Sequence, residues 1–370
     1  MTDAKNIALA LSGGGIRAMV FHLGVLKYLS EQNKLEEITH ISTVSGGSLI
    51  IGLLLRENQM QWPTSSQYNE FLLPSLRKKL CTKSLMGGMV RQLLKPKNWY
   101  FLLSRANLLA FALRDEWGID DKLVDLPVFP EWSINGTTAE TGKRFRFKQK
   151  NFGDYLLGYA SSKNFPLANA LAVSAGFPGG IGPLVIQAES YEWKKRKAWN
   201  DPEGNQSIIT PLYSRFHVYD GGVYDNLGLE PFFNAGRGSL KESLPSNTQL
   251  ILSDASTPLE KGFSLSKLNP WRLKRITDII YDQSRALRIR TFVNYIQEDI
   301  DRGNLISIFD KINDGDICSS SVFASKFPTT LRRLTYEEFD KLFNHGYEVS
   351  KRKLTFTPSN IEKFKVVAGS

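Results

Sequence analysis

The chain has 370 residues, 42% of them hydrophobic, and carries 47 basic against 37 acidic side chains for a formal net charge of +10. That composition supports a sizeable buried core, and its basic surplus points to an anionic partner, either nucleic acid or a phospholipid surface. Two cysteines, Cys81 and Cys318, exclude a disulfide framework and fit a reducing compartment.

In chain order, Met1–Asn6 is polar and Ile7–Leu11 is too short for the apolar region of a cleavable signal, so Ile7–Leu11 reads as a buried strand. A glycine run leads into Ile16–Asn33, where apolar residues at Val20, Leu23, Leu26 and Leu29 predict a helix. Ile38–Val44 is a second β-type run, which breaks at Ser45-Gly46-Gly47 into the apolar helix Ser48–Arg56. The longest apolar stretch, Leu49–Leu55, falls far short of a membrane span. Strand, helix, strand, helix with short connections predicts an α/β fold with a parallel sheet covered on both faces.

Residues 71–114 differ: they carry nine Lys or Arg and no acidic residue, with Trp99-Tyr100-Phe101 and repeated leucines mixed in. Beyond them, Trp132–Asn135 and Arg144–Lys148 resemble strands, and Leu167–Phe177 is apolar and rich in small residues. Trp193-Lys194-Lys195-Arg196-Lys197 reads as a solvated basic loop. Phe216–Tyr219 and Gln249–Ser253 are expected core strands, and Trp271–Arg290 a basic helical stretch. With no repeat and no low-complexity linker, one elaborated domain spanning 1–370 is the economical reading.

Ser12-Gly13-Gly14-Gly15-Ile16-Arg17-Ala18 and Val44-Ser45-Gly46-Gly47-Ser48 each sit where a β-run stops and a helix begins. With Asp220-Gly221-Gly222 downstream they supply a donor-rich loop, an exposed serine and a carboxylate, the equipment for acyl transfer through a serine ester. The glycine run also fits G-x-G-x-x-A, the dinucleotide fingerprint. That use needs an acid at the end of the second strand. Glu36 and Glu37 precede the strand instead, which weakens the cofactor reading. Ser45 takes the nucleophile place of G-x-S-x-G, with Thr43 in the first glycine position. Ser42 falls within the strand and Ser48 inside the first helical turn, where it caps or packs. For a base, Asp220 ends a strand on a tight turn and is better placed than His217, the one triad candidate among four histidines.

These blocks resemble the patatin-like lipid acyl hydrolases. Ile134-Asn135-Gly136-Thr137, Ala172-Val173-Ser174-Ala175-Gly176-Phe177-Pro178 and Asp220-Gly221-Gly222-Val223-Tyr224-Asp225-Asn226 carry the likeness further, so that it covers roughly residues 7–255. The resemblance implies a three-layer α/β/α fold with a mostly parallel central sheet and a helical insertion. It implies a Ser45–Asp220 dyad, with Ser45 attacking an ester carbonyl and Asp220 accepting its proton. Gly14 and Gly15 N–H groups would hold the oxyanion, with Gly13 shaping the loop, and Arg17 would steady that loop or contact a substrate phosphate. The implied substrates are phospholipids or lysophospholipids.

No metal cluster is legible, and no cofactor is expected. Residues 71–114 interrupt the likeness where a substrate cover would sit, and we expect either a lid that docks on an anionic membrane or an ordinary helical insertion with a solvated basic face. The stretch 256–370 matches less clearly, and its Arg272, Lys274, Arg275, Arg285, Arg288 and Arg290 either bind phosphates or face water. The expected protein is soluble and cytoplasmic, touching membranes from the cytosolic side, and lacks any nucleic-acid fold signature. The competing reading is a non-catalytic lipid- or nucleotide-binding module that uses the same glycine loop.

Overall fold

The computed structural model describes residues 6–354 apart from 103, 179, 198–204, 257–258, 260–261, 263–270 and 313–318. Cys318 and the side chains of Arg272 and Lys274 lie outside the described residues.

Twelve strands form one mixed sheet. They are β1 (Asn6–Leu11), β2 (Ile38–Thr43), β3 (Glu131–Thr138), β4 (Arg144–Phe147), β5 (Asn151–Asp154), β6 (Gly158–Ser161), β7 (Leu184–Gln187), β8 (Trp193–Arg196), β9 (Gln206–Ile209) and β10 (Arg215–Asp220). After a separate short pair, β11 (Phe233–Asn234) and β12 (Ser239–Leu240), come β13 (Thr248–Asp254) and β14 (Gly303–Ser307). The block β14-β13-β1-β2-β3 is parallel throughout. From β3 the sheet continues antiparallel through β4, β5, β6, β8 and β9.

The alternation of β1 divides the core between two faces. Ile7, Leu9 and Leu11 point into the larger cluster with the helices α1 (Gly15–Glu31) and α2 (Gly46–Glu57), whereas Ala8 and Ala10 pack beneath Leu227, Phe232 and Phe292 on the other face. Layers of helix on both sides of the sheet give the three-layer α/β/α arrangement that the strand–helix alternation predicts. α1 is buried almost all round because the C-terminal helix Tyr336–Lys353 crosses it. The crossing is backbone on backbone: a Cβ on Gly24 would lie 2.3 Å from Phe343 O, and one on Gly346 would lie 2.2 Å from Phe21 O.

Register explains how distant residues meet. β2 pairs with β3 from Glu131 to Ile134 and stops there, and β10 then pairs antiparallel with β3 opposite Gly136 to Thr138. The last residue of β10, Asp220, therefore stands opposite Gly136, just beyond the point where β2 leaves the sheet.

Two expectations about the basic segments need correction or refinement. Trp193–Arg196 is a strand and not a loop. Trp193 is buried against Phe152 and Phe216 and donates from Nε1 to Ala188 O (2.9 Å), so one aromatic anchor outweighs the lysines that follow it. Residues 71–114 are helical, as expected, with helices Leu73–Thr82, Leu85–Leu93 and Ala106–Trp117. Four of their nine basic side chains are ion-paired: Arg77 with Asp340, Lys79 with Glu57, Arg91 with Glu116 and Lys95 with Asp115. Large apolar residues are exposed beside the cations, with Leu94, Trp99 and Tyr100 at 74%, 63% and 88% exposure. Among the described residues no helix is long and apolar enough to cross a membrane.

Candidate active site

Ser45 sits at the junction between β2 and α2 with φ 49° and ψ −116°, a conformation that L-residues adopt only when their surroundings enforce it. Its N–H, shared between Ser174 O (3.0 Å) and Ser174 Oγ (3.1 Å), holds the turn from behind. A Cβ on Gly46 would lie 2.4 Å from Gly15 O, so the elbow and the glycine loop meet backbone to backbone and a side chain there would part them. Thr43, which departs from the glycine of G-x-S-x-G, is accommodated by a buried polar chain. Its Oγ1 accepts from Trp132 Nε1 (2.9 Å) and bonds Ser48 Oγ (2.7 Å), which reaches Ser174 Oγ (2.8 Å). Ser48 is thus a packing residue. Ser42 Oγ accepts from Asn135 Nδ2 (2.9 Å), and Ser42 is fully buried.

Asp220 is buried, and Gly222 N–H donates to its Oδ1 at 2.7 Å. Ser45 lines the same cavity as this carboxylate. Burial pushes the Asp220 carboxyl up from its ordinary 3.8 to about 7, against the downward pull of the Gly222 N–H and the nearby Ser45 side chain.

The loop residues divide their work. Gly13 N–H donates to Asn226 O (3.0 Å), and a Cβ on Gly13 would collide with Asn226 Oδ1 at 2.4 Å, so Gly13 shapes the loop. Gly14 (φ 146°) lines a cavity of about 520 Å³ together with Ser45 and Asp220. α1 starts at Gly15, where first-turn N–H groups have no acceptor within the helix; that of Ile16 is taken by Thr330 O at 2.8 Å.

Arg17 departs from the expectation of a substrate contact. It is fully buried, and its guanidinium donates to Phe327 O (2.6 Å) and Ala255 O (3.0 Å), tying α1 to two later segments. Burial lowers its pKa to about 10, offset in part by Asp254. The loop-steadying half of the expectation fits this position; the phosphate-contacting half does not.

None of the four histidines lines the cavity. His217 Nδ1 lies 2.6 Å from Glu140 Oε1, and His345 Nε2 bonds Ile308 O. His22 is enclosed between Ser12 O and Ser253 Oγ, where burial pushes its pKa down to about 4. Among the described residues no group of three or more His, Cys, Asp or Glu is placed to hold a metal ion. A larger cleft of about 690 Å³ at Arg56, Glu57 and Lys79 is walled by ion-paired side chains and holds none of the predicted site residues.

Sequence reasoning missed the far wall of the cavity: Phe177, Ser256, Tyr281 and Thr329. Asn226 had a signal, since it ends the Asp220…Asn226 block, and its Nδ2 donates to Ser256 Oγ at 2.9 Å. Tyr281 had none, because it lies on a distant helix, Trp271–Gln297, with no motif around it.

The comparisons with known proteins bear on this geometry. Human GIVD cytosolic phospholipase A2 matches over 94% of this chain and 58% of its own, at 14% identity and a TM-score of 0.52. VipD from Legionella pneumophila matches over 94% of this chain and 66% of its own, at 13% identity and a TM-score of 0.40. The first shares the fold, the second is too distant in shape to carry an argument, and the chain spans under three fifths of the first one's length. No curated protein matches at the level of sequence search. The patatin-like phospholipase model matches residues 9–233, well over half of the chain and including every residue of the Ser45 and Asp220 blocks. This protein therefore belongs to the patatin-like phospholipase family.

Proposed function

We propose that the protein hydrolyses fatty-acyl esters of phospholipids or lysophospholipids through a Ser45–Asp220 dyad. The observation that carries this reading is Ser45 on a strained strand-to-helix turn, lining one cavity with the buried Asp220 carboxylate, whose pKa burial raises to about 7. Ser45 Oγ attacks the ester carbonyl as its proton passes to Asp220. The tetrahedral oxyanion is received by the N–H groups of Gly14 and Gly15, each such donor contributing on the order of 10²–10³ in rate. Collapse expels the alcohol, which takes the proton back from Asp220. Water activated by Asp220 then releases the fatty acid and regenerates Ser45. A module that only binds lipid or nucleotide has no need of a strained serine beside a buried carboxylate.

The same reading makes residues 71–114 an interfacial element within one domain. Ser104 Oγ donates to Pro183 O (2.6 Å), beside the Phe177 loop of the cavity, and Met86 N–H donates to Leu331 O (3.0 Å), beside Thr329. The exposed Leu94, Trp99 and Tyr100 lie in the segment between those two anchor points, and their apolar area supports entry of this segment into a bilayer surface.

Fatty-acid release from mixed phospholipid vesicles, compared among wild type, Ser45→Ala and Asp220→Asn, tests the proposal. Release lost in both variants is expected. Release retained in either variant removes that residue from the chemistry, and a wild type that neither releases fatty acid nor reacts with a fluorophosphonate favours the binding module.

A further inference from the structure

The helix Trp271–Gln297 walls the Ser45 cavity with an unusual set of side chains. Tyr281 contributes a phenol hydroxyl that is shielded from water and has no hydrogen-bond partner among the described residues. Burial, with the charges of Asp220 and Asp278 adding to it, holds that phenol well above its ordinary range, so it keeps a proton to donate at physiological pH. A buried hydroxyl without a partner carries a desolvation cost that an acceptor on a bound molecule would relieve. Arg275 and Asp282 line the same wall. The other cation there, Arg285, is already bound to Asp254, its Nε lying 3.0 Å from Asp254 Oδ2. The wall therefore offers one donor, one cation and carboxylates to whatever lies between it and Ser45. Arg17, the residue that the sequence offered for a substrate phosphate, is enclosed elsewhere.

We propose that Tyr281 and Arg275 bind the phosphate of a phosphodiester lipid in the Ser45 cavity, with Asp282 beside them receiving a cationic head group. The inference rests on the proposed hydrolysis of phospholipids and adds the residues that would recognise the head group. The cavity's 520 Å³ falls in the range of small-molecule sites and suits a head group together with the ester next to it. The guanidinium supplies charge and planar donors, the phenol one short donor, and the carboxylate opposes phospholipids whose head group carries only negative charge.

The test uses the full chain with Ser45→Ala, so that ligands are bound and not cleaved. Calorimetry below the micellar concentration compares lysophosphatidylcholine with a monoacylglycerol of the same acyl chain. The phosphodiester should bind at least tenfold more tightly. Adding Tyr281→Phe or Arg275→Gln should lower that affinity ratio about tenfold, the scale of one hydrogen bond to a charged group. Tyr281→Phe should at the same time leave the thermal midpoint unchanged or raise it, which a merely structural tyrosine would not do. Lysophosphatidylglycerol, a phosphodiester without the ammonium, should bind more weakly than lysophosphatidylcholine, and Asp282→Asn should erase that difference. No preference for the phosphodiester, or a ratio that both variants leave intact, overturns the phosphate subsite; equal binding of the two phosphodiesters overturns the role of Asp282. Hydrolysis by the wild type is scored separately. Selective binding without hydrolysis would sink the Ser45 chemistry and keep the subsite, and hydrolysis without phosphate preference would do the reverse.

Discussion

At Asp220 the pull of burial sets stability against activity. Its folded pKa of about 7 lies above the ordinary 3.8, so between those values the native state holds the proton more tightly than the unfolded chain. The stability this group contributes is fully present below about pH 4 and is lost as pH rises through 7. Activity runs the other way, because the base form is needed to take the Ser45 proton. We expect kcat/KM to rise with pH along a single-proton limb centred near 7. Asp220→Asn should abolish that activity and raise the thermal midpoint at pH 8, since the amide carries no charge to desolvate. A pH-independent rate between 6 and 9 contradicts the assignment of Asp220 as base.

Elements reach the site through close backbone crossings, and these fix which substitutions matter. Gly24 and Gly346 let α1 and the C-terminal helix touch, and that contact holds α1, whose first turn follows directly on the glycine loop. Gly346→Val should destabilise the protein by about 3 kcal/mol through forced separation of the helices, read as a lowered urea midpoint. An unchanged midpoint would mean that the helices part without cost. The sequence made much of this level legible. Ile7–Leu11 announces itself as a strand by unbroken apolar character and Ile38–Val44 by its β-branched residues, and glycines mark the turns that follow, so the strand ends at Gly13 and Ser45 were legible locally. What stayed illegible depends on partners far along the chain. Nothing near Arg17 tells that Phe327 O and Ala255 O will enclose it, and nothing near Trp193 tells that Phe152 and Phe216 will make a strand of a lysine run. Tyr281 becomes a site residue only because its helix folds back over the elbow.

On the scale of the whole molecule, the net charge of +10 is accompanied by exposed apolar surface. Within 71–114 four of nine cations, Arg77, Lys79, Arg91 and Lys95, are engaged in ion pairs, while Leu94, Trp99 and Tyr100 between the two anchor points present apolar area to water. Apolar insertion should therefore outweigh charge in bilayer binding. Trp99→Ser with Tyr100→Ser should weaken vesicle binding at least tenfold and reduce release from vesicles, while hydrolysis of a soluble short-chain ester persists. Charge reversal at Lys78, Lys83 and Lys97, which have no ion-pair partner among the described residues, should weaken binding to anionic vesicles by a smaller factor. Vesicle binding that survives both sets of substitutions would reduce the segment to an ordinary insertion.

The central claim is that Ser45, activated by Asp220, is the nucleophile. The most direct measurement is to react the protein with an alkyl fluorophosphonate and locate the adduct by mass spectrometry. The account predicts one adduct, on Ser45, formed at a rate that rises through pH 7 and collapses in Asp220→Asn. An adduct on Ser42, Ser48 or any other residue, or labelling of Ser45 at full rate without the Asp220 carboxylate, would contradict it.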